Sequence, residues 1–469
     1  MTRHGLKRLV AVSNRVGPVR GAATAGGLAV GLVEALRECG GLWFGWSGKI
    51  CRSTPGAPHR QQVGGVQLVQ VDLAREDYEQ YYNGFANLCL WPLLHLRVDL
   101  VRYQPGYFDA YLRVNEQFAH ALQPLLHADD TIWVHDYHLI PLATRLRELG
   151  VPQRIGFFLH TSFPPADLLA TLPNHERLMR SLFDYDLVGF QTEPDLLRFR
   201  DYVERVACGQ VRDGRVSAFG GSVEAAAFPI GIDAHAFAAM ASSAVGEREY
   251  RRMREALQGR ALIMGVDRLD YTKGLLRRLS AYELLLERQP ETHGRIEYLQ
   301  ISPVSRAEIR AYREFHAELD HAVARINGRF AQVDWTPLRY LNRALPRRTL
   351  AGLYRAARVG MVTPMRDGMN LVAKEFVAAQ DPADPGVLIL SRFAGAAQQM
   401  TSALLVNPYD TGEMADALLA AHHMGVEERR NRHAPLMREL LEHDVKRWRE
   451  DFLSHLLPSV NPLQVRSRR

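Results

Sequence analysis

The sequence has few cysteines and no long apolar run. Its four cysteines are scattered along 469 residues, and no two of them form a C-x-x-C pair. This pattern indicates a reducing, cytoplasmic setting and argues against a structural zinc site. No run of about 18 or more uncharged apolar residues occurs, so we expect no transmembrane helix and no membrane partner. The basic N-terminus also lacks the apolar region of a secretory signal peptide.

Three further absences limit the ligands. The sequence contains no G-x-G-x-x-G fingerprint, which argues against a nicotinamide dinucleotide. His135 and His138 follow one predicted strand, but no third metal ligand is evident near them, so we predict no metal and no cofactor. Long Lys/Arg runs are missing before the last few residues, so no nucleic acid is expected. The net charge of +6 fits small anionic substrates, although a coding bias toward arginine explains it equally well.

Short apolar runs that end in polar residues recur through both halves of the chain. They cover residues 9–14, 42–46, 131–135, 154–160, 186–190, 261–266, 296–301, 359–363, 387–390 and 404–407. Helical stretches separate these runs, which predicts the α/β class with doubly wound parallel sheets. The length predicts two domains, residues 1–233 and 234–457, followed by a tail over 458–469. A ligand is expected in the cleft between the domains.

Three further segments are not interpreted as strands of these sheets. Residues 51–66 are polar and rich in proline and glycine, which is typical of a surface loop. Residues 436–456 carry apolar side chains at helical spacing, which predicts one long helix that is free to pack back on the N-terminal domain. The aromatic cluster in residues 78–92 is typical of a core, but it would also suit the apolar faces of sugar rings.

The segment Val362–Glu375 is the main candidate binding site. It reads as a strand end, a turn with glycine and a helix capped by Asn370, and free amides at such a helix start favour a phosphate. Asp367 and Glu375 add two carboxylates that would accept hydrogen bonds from sugar hydroxyls. The segment therefore suits a sugar nucleotide, although an ordinary strand–helix unit with a capping Asn explains it about equally well.

Two other segments also suit a diphosphate. Arg268 and Lys273 bracket the turn after the run 261–266, where two cations would form a clamp; two ordinary surface cations are the alternative. Gly26 and Gly27 lie side by side at a predicted helix start, where backbone can approach a ligand closely.

Sequence motifs spread over nearly the whole chain carry a resemblance to a known protein family. They are VSNR (12–15), AGGLAVGL (25–32), GGLWFGWSG (40–48), YYNGFANLCLWP (81–92), WVHDYHL (133–139), GFFLH (156–160), FPIGID (228–233), DRLDYTKGL (267–275), SPVSR (302–306), INGRF (326–330) and RDGMNLVAKEFVAAQDP (366–382). The chain resembles bacterial retaining glucosyltransferases of the trehalose-6-phosphate synthase type. The resemblance implies a GT-B fold with two facing Rossmann-like domains. It also implies transfer of glucose from UDP-glucose to glucose 6-phosphate, giving α,α-trehalose 6-phosphate and UDP.

The resemblance also assigns roles to individual residues. The expected acceptor-binding residues, with the two arginines on the phosphate, are Arg15, Trp46, Tyr82, Trp91, Asp136 and Arg306. The expected donor-binding residues are Gly26, Gly27, His160, Arg268, Lys273, Leu345, Asp367, Leu371, Val372, Ala373, Lys374 and Glu375. The expected catalytic residues are Asp136, His160, Arg268, Lys273 and Asp367.

Some points stay open at this stage. Ser162 stands where the family usually has proline, and the loss of that ring frees the backbone next to His160, where a change would alter the fit of the acceptor. The alternatives are a retaining transferase with a glycerol phosphate or cyclitol phosphate acceptor, or a non-catalytic regulatory relative. Intact Arg268, Lys273, Asp367 and Glu375 argue against a non-catalytic protein. The sequence does not decide between UDP, ADP and GDP, or whether the chain forms a dimer or tetramer.

Overall fold

The computed structural model describes residues 8–17, 32–33, 35–38, 40–52, 55–306 and 308–457. By its internal contacts the described chain divides into two compact units. The first unit runs to Pro229 and takes in the chain from Lys446 onward, and the second runs from Ile230 to Val445. No helix in these ranges has the length and apolar character needed to cross a membrane.

The first unit is built on one mixed sheet. Its strands are β1 (Arg8–Arg15), β2 (Leu42–Cys51), β3 (His59–Val63), β4 (Val66–Ala74), β5 (Asp130–His135), β6 (Arg154–Phe158), β7 (Leu187–Phe190), β8 (Gln210–Arg212), β9 (Arg215–Ala218) and β10 (Gly221–Ala227). The spatial order of the described strands is β3-β4-β2-β1-β5-β6-β7-β10-β9-β8. The body from β4 to β10 is parallel, whereas β3, β9 and β8 pair in antiparallel fashion at the two edges.

In the parallel body of this sheet, the order in which successive strands are added reverses between β1 and β5. The chain adds β2 and β4 on one side of β1 and then β5, β6 and β7 on the other side. Val10 pairs with Leu42 on one side and with Ile132 on the other. Such a reversal leaves a crevice at the carboxyl ends of the two central strands, where ligands of open α/β sheets bind.

The prediction of a surface loop over residues 51–66 is wrong in its second half. Residues 59–66 contribute all of β3 and the start of β4, which form an antiparallel hairpin. Gly64 and Gly65 have φ angles of 56° and 85°, as the two central residues of a type I′ turn require. Four of the five β3 side chains are exposed, so this edge strand lacks the apolar residues that would reveal it.

Helices cover the first sheet. They include α1 (Arg75–Asp77), a π-helical segment (Tyr78–Leu90), α2 (Trp91–Leu94), α3 (Pro105–Leu122), α4 (Leu142–Glu148), α5 (Ala166–Leu169), α6 (His175–Arg180) and α7 (Glu193–Arg205). Single 3-10 turns occur at Val98–Leu100, Gln123–Leu125, Tyr137–Leu139 and Ser181–Asp184. The π-helical segment and α2 together carry the aromatic cluster predicted over residues 78–92.

The second unit is built on a parallel sheet. Its strands are β11 (Ala261–Val266), β12 (Ile296–Ile301), β13 (Leu338–Leu341), β14 (Val359–Val362), β15 (Val387–Ser391) and β16 (Leu404–Val406). Their order, β13-β12-β11-β14-β15-β16, is the 3-2-1-4-5-6 order of a Rossmann fold. The reversal point lies between β11 and β14. The predicted strands at 261–266 and 296–301 are confirmed residue for residue, and β13 was not predicted.

Helices also surround this second sheet. They are α8 (Ala234–Ala241), α9 (Ala244–Leu257), α10 (Leu275–Arg288), α11 (Arg310–Phe330), α12 (Arg347–Ala356), α13 (Leu371–Ala378), α14 (Thr411–His423) and α15 (Val426–Glu442), with 3-10 turns at Tyr271–Lys273, Pro290–Thr292 and Gly395–Gln398. The core of the unit includes Tyr282, Tyr298, Trp335 and Met361, all buried.

The prediction of one long C-terminal helix is wrong. The chain leaves helical geometry at His443, with φ −122° and ψ 61°, and then begins a separate helix, α16 (Val445–Leu456). Helix α16 packs on the first unit, where the rings of Trp448 and Phe452 lie 4.8 and 4.6 Å from that of Trp133. A Cβ atom on Gly156 would lie 2.8 Å from Phe452, so glycine lets the helix approach the sheet closely.

Candidate active site

Lys273 and Asp367 meet at the reversal point of the second sheet. Lys273 follows β11 and Asp367 follows β14, and the Lys273 ammonium lies 2.5 Å from Asp367 Oδ2. The same carboxylate oxygen accepts a hydrogen bond of 3.1 Å from the side-chain amide of Asn370. Both charged side chains are largely shielded from solvent, with exposures of 10% and 16%. The structure therefore brings together two segments that the sequence analysis treated as separate candidates.

The start of α13 has the geometry expected of an anion site. Asn370 has a φ angle of 77°, and its side-chain oxygen accepts a hydrogen bond of 3.3 Å from the amide of Ala373. The prediction that Asn370 caps this helix is confirmed. Leu371 and Val372 occupy the first turn, where backbone N–H groups have no partner within the helix and the helix dipole favours negative charge. Asn370 itself is buried.

Glu375 forms an ion pair that the sequence analysis missed. Its Oε1 accepts a hydrogen bond of 2.9 Å from Arg347, the first residue of α12. Burial raises the pKa of Glu375, and the guanidinium of Arg347 opposes that rise. The guanidinium of Arg347 also lies over the ring of Phe237, 5.2 Å from its centre. Leu345, expected near a nucleobase, lies half-buried just before α12.

The side chains of Ala373 and Lys374 are buried rather than presented to a ligand. The Lys374 ammonium donates to the carbonyl of Ile230 at 2.8 Å and to the side chain of Gln399 at 2.7 Å. Burial lowers the pKa of Lys374 to about 7. Donor contacts predicted for Ala373 and Lys374 therefore stay predictions for their backbone groups alone.

Arg306 is held by an acid on the neighbouring loop. Its Nη1 donates to Asp270 at 2.9 Å and to the hydroxyl of Tyr312 at 2.6 Å. Burial acts to raise the pKa of Asp270, but Arg306 and the other nearby cations lower it to about 2. Arg306 has a φ angle of 49°, and Arg268 is exposed after β11. The phosphate contacts expected of these two arginines stay predictions.

Arg15 ends β1 in the first unit, and it pairs with Trp46 within the neighbouring strand β2. Arg15 is exposed, and its guanidinium lies 5.8 Å from the centre of the Trp46 ring. Gly48 has a φ angle of 87°, and a Cβ atom there would lie 2.6 Å from the guanidinium. Glycine therefore leaves the space that Arg15 occupies. The Trp46 ring in turn lies 5.4 Å from that of Tyr82.

The aromatic cluster contains both buried and partly exposed rings. Trp91 is buried, with its ring 5.9 Å from that of Tyr137, and belongs to the core. Tyr82 is half-exposed and stacks between Tyr78, at 5.6 Å, and His138, at 6.0 Å. Tyr82 thus presents an aromatic surface beside Trp46.

Asp136 and His160 lie together at the carboxyl end of β5 and β6. Asp136 adopts a φ angle of 76°, and its Oδ1 accepts a hydrogen bond of 3.2 Å from the amide of His160. The Nε2 atom of His160 lies 3.1 Å from Nδ1 of the buried His135. Burial lowers the pKa of His160 to about 3, and burial together with the neighbouring His160 lowers the pKa of His135 well below its usual range. Both imidazoles are therefore neutral at physiological pH.

The remaining predictions concern residues that take no part in the contacts described above. Gly26 and Gly27 fall outside the described residues. Ser162, at the position of the family's usual proline, is buried. Within the described ranges, a group of three side chains able to hold a metal occurs at the end of α15, with Glu439, Glu442 and His443. His135 and His138 are not part of it.

The chain is similar to proteins of known family and structure. The model of glycosyltransferase family 20 matches residues 11–457. A trehalose-6-phosphate synthase of Sinorhizobium fredii is 51% identical, covering 97% of this chain and 99% of that protein. An α,α-trehalose-phosphate synthase (UDP-forming) from Burkholderia xenovorans, solved in complex with glucose-6-phosphate, has a TM-score of 0.94 and 48% identity, covering 96% of this chain and 100% of that one.

A second solved structure carries a donor analogue. An Escherichia coli protein bound with UDP-2-fluoro glucose has a TM-score of 0.92 and 46% identity, covering 97% of this chain and 99% of that one. The expected fold class, α/β with two Rossmann-like domains of the GT-B type, is confirmed by these matches together with the two sheets.

Proposed function

Because this chain belongs to glycosyltransferase family 20, we propose that it transfers glucose from UDP-glucose to glucose 6-phosphate with retention. The products are α,α-trehalose 6-phosphate and UDP. The observation that carries the proposal is the Lys273–Asp367 pair beside the capped start of α13. The proposal is supported by similar proteins solved with glucose-6-phosphate and with UDP-2-fluoro glucose.

In this proposal the donor binds at the reversal point of the second sheet. Arg268 and Lys273 hold the diphosphate together with the first-turn amides of α13, because cations and a helix N-terminus favour the same anion. Asp367 accepts hydrogen bonds from hydroxyls of the transferred glucose. Glu375, one of whose oxygens is already held by Arg347, accepts bonds from the ribose hydroxyls.

In this proposal the acceptor is bound by the predicted set Arg15, Trp46, Tyr82, Trp91, Asp136 and Arg306. Arg15 and Arg306 bind the phosphate of glucose 6-phosphate, and Asp136 binds its hydroxyl groups. Trp46 and Tyr82 offer aromatic faces to the apolar side of the sugar ring. His160 contacts a hydroxyl of the donor glucose as a neutral imidazole, because burial lowers its pKa to about 3.

We propose front-face attack rather than double displacement. Asp367 is paired with Lys273 and hydrogen-bonded to Asn370, which makes its carboxylate a poor nucleophile. The acceptor hydroxyl then approaches the anomeric carbon from the side on which UDP leaves, and a donor phosphate oxygen takes its proton. The protein positions both sugars and stabilises the leaving diphosphate with cationic side chains, so no metal is required.

One experiment tests the activity and its alternatives together. The purified protein is incubated with UDP-glucose and, separately, glucose 6-phosphate, glycerol phosphate or a cyclitol phosphate, and UDP release is followed. We expect release only with glucose 6-phosphate, at a rate that EDTA does not change. Release only with another acceptor would favour a related transferase, and no release with any acceptor would favour a regulatory protein. ADP-glucose and GDP-glucose in the same assay establish the nucleotide preference.

The setting of the enzyme is a further part of the proposal. We propose a cytoplasmic enzyme, since the scattered cysteines fit a reducing compartment. Light scattering on the purified protein would establish whether it is a monomer, a dimer or a tetramer.

A further inference from the structure

Arg278 is a fully buried arginine beneath the proposed donor site. It lies in the first turn of α10, and none of its surface is exposed. Its position falls just outside the motifs that carry the family resemblance, and it has no role in the proposed transfer so far. Removing a guanidinium from water is costly unless its N–H groups are bonded. A buried arginine of this kind therefore needs a specific set of partners.

The guanidinium of Arg278 has such partners at three strand ends. Its Nη1 donates to Asp267 at 2.8 Å and to Gln300 at 3.2 Å, after β11 and within β12. Its Nε donates to the hydroxyl of Thr363 at 3.1 Å, directly after β14. Its Nη2 donates to the carbonyl of Lys273 at 3.2 Å. The rigid planar fork thus fixes several groups relative to one another.

The strand beneath this side chain is shaped to admit it. Gly265 lies within β11, where glycine normally weakens a strand. A Cβ atom at Gly265 would lie 2.4 Å from Gln300 Oε1 and 2.7 Å from Arg278 Nη1. The glycine therefore makes room for the arginine and its hydrogen bonds.

Arg278 joins the two loops that carry the proposed donor site. The loop 267–274 contains Arg268 and Lys273, and the loop 363–370 contains Asp367. The loops also touch directly, since the amide of Met365 donates to the carbonyl of Thr272 at 2.8 Å. Arg278 donates hydrogen bonds to the carbonyl of Lys273 in the first loop and to the hydroxyl of Thr363 in the second. Its loss would leave the spacing of Lys273 and Asp367 less well defined.

We propose that Arg278 is a positioning residue for glucosyl transfer, which fixes the two donor-binding loops in register without touching substrate. The inference rests on the proposed function of the site. It predicts that the fork of the guanidinium matters as well as its charge. An exposed neighbour on the same helix, Arg277, provides a matched control.

The test compares Arg278→Lys, which keeps the charge and loses the fork, with Arg277→Lys. UDP binding is measured by calorimetry without acceptor, and steady-state kinetics are measured with UDP-glucose. We expect Arg278→Lys to weaken UDP binding and to lower kcat/KM for UDP-glucose by about ten- to a hundredfold. The KM for glucose 6-phosphate should stay unchanged, and Arg277→Lys should stay within about twofold of the wild type in every parameter.

A second variant covers the case in which Arg278→Lys fails to fold. Thr363→Val removes one acceptor with little change of shape, and it should shift UDP affinity and kcat/KM several-fold in the same direction. Variants with lowered thermal stability but wild-type UDP affinity and kcat/KM would overturn the proposal, because the role would then be structural only. A wild-type protein that binds UDP but never transfers to glucose 6-phosphate would overturn the proposed function instead.

Discussion

The carboxyl ends of the two sheets carry polar groups of different kinds. In the first unit, Asp136 accepts a hydrogen bond from a backbone amide, and the adjacent imidazoles of His135 and His160 are neutral. In the second unit, acids and cations pair directly after the strands, as in Lys273–Asp367 and Arg278–Asp267. Both sheets bring polar side chains to a reversal point, and the contacts described at the second of these points include ion pairs.

This difference separates two tasks of a glycosyl transfer site. Neutral imidazoles and aromatic faces suit the recognition of sugar hydroxyls and ring surfaces, for which charge is not needed. Paired cations suit a diphosphate, since each cation is already oriented by an acid before the anion arrives. Changes to the ion pairs should therefore alter catalysis strongly, whereas a change at the histidines should first alter the response to pH.

The largest effect is expected for Lys273→Met. The substitution removes a cation from the diphosphate and leaves the carboxylate of Asp367 without its 2.5 Å partner. We expect kcat/KM for UDP-glucose to fall about a hundredfold or more, since both losses oppose binding of the leaving group. Steady-state kinetics would measure this, with the exposed Lys446→Met as the control. A fall of less than about threefold would contradict the assignment.

A smaller loss is expected for Arg268→Ala. Arg268 is exposed after β11, so its loss removes one charge-assisted contact without disturbing the core. We expect kcat/KM for UDP-glucose to fall about ten- to a hundredfold. If this variant kept the full kcat/KM, the role of Arg268 in holding the diphosphate would be wrong. Arg277→Ala, in the helix that follows, controls for a general loss of positive charge.

Arg347→Met should raise the KM for UDP-glucose about three- to tenfold, with a smaller effect on kcat. Burial already raises the pKa of Glu375, and the loss of Arg347 removes the group that opposes this rise. More of the carboxyl would then be protonated as pH falls, so the defect should be larger at pH 6 than at pH 8. Kinetics at both values test this, with the exposed Arg348→Met as the control. A pH-independent KM would contradict it.

The smallest effect on catalysis is expected at His135, where the substitution changes the pH dependence of stability instead. The pKa of His135 is lowered in the folded protein. Below about pH 6.5 the imidazole of His135 is therefore protonated in the unfolded chain but stays neutral in the folded chain. The stability of the wild type therefore falls as pH drops from about 6.5 toward 4. His135→Asn should lessen this slope by up to about 1.4 kcal/mol per pH unit. Urea unfolding at pH 7, 6 and 5 measures the slopes, and equal slopes would refute the prediction.

The sequence predicts those strands that consist mainly of apolar residues. Strand β11 is a continuous apolar run, and β12 is mainly apolar with two buried polar residues, Glu297 and Gln300, so the bounds of both strands follow from the sequence. The edge strand β3 is polar because it faces solvent, and no pattern distinguishes it from a loop. The break between α15 and α16 is equally hidden, since apolar residues continue at helical spacing across His443.

The candidate site follows the same division. Lys273 and Asp367 stand out because each follows an apolar run, but their direct pairing depends on the strand order, which no local pattern gives. Arg347 and Arg278 were missed because arginine is abundant in this sequence and most arginines lie on the surface. One signal for Arg278 was available: Gly265 interrupts a buried strand, and such a glycine marks close approach by another group.

The packing of α16 on the first unit has a consequence for biosynthesis. The residues of the second unit, 230–445, are translated between the body of the first unit and this helix. At about 5–20 residues per second, that interval lasts roughly 10–40 s. Until α16 arrives, the face that Trp448 and Phe452 later cover on Trp133 is open to water. The unit that leaves the ribosome first is therefore the last to complete its core, and chaperones have that interval in which to bind it.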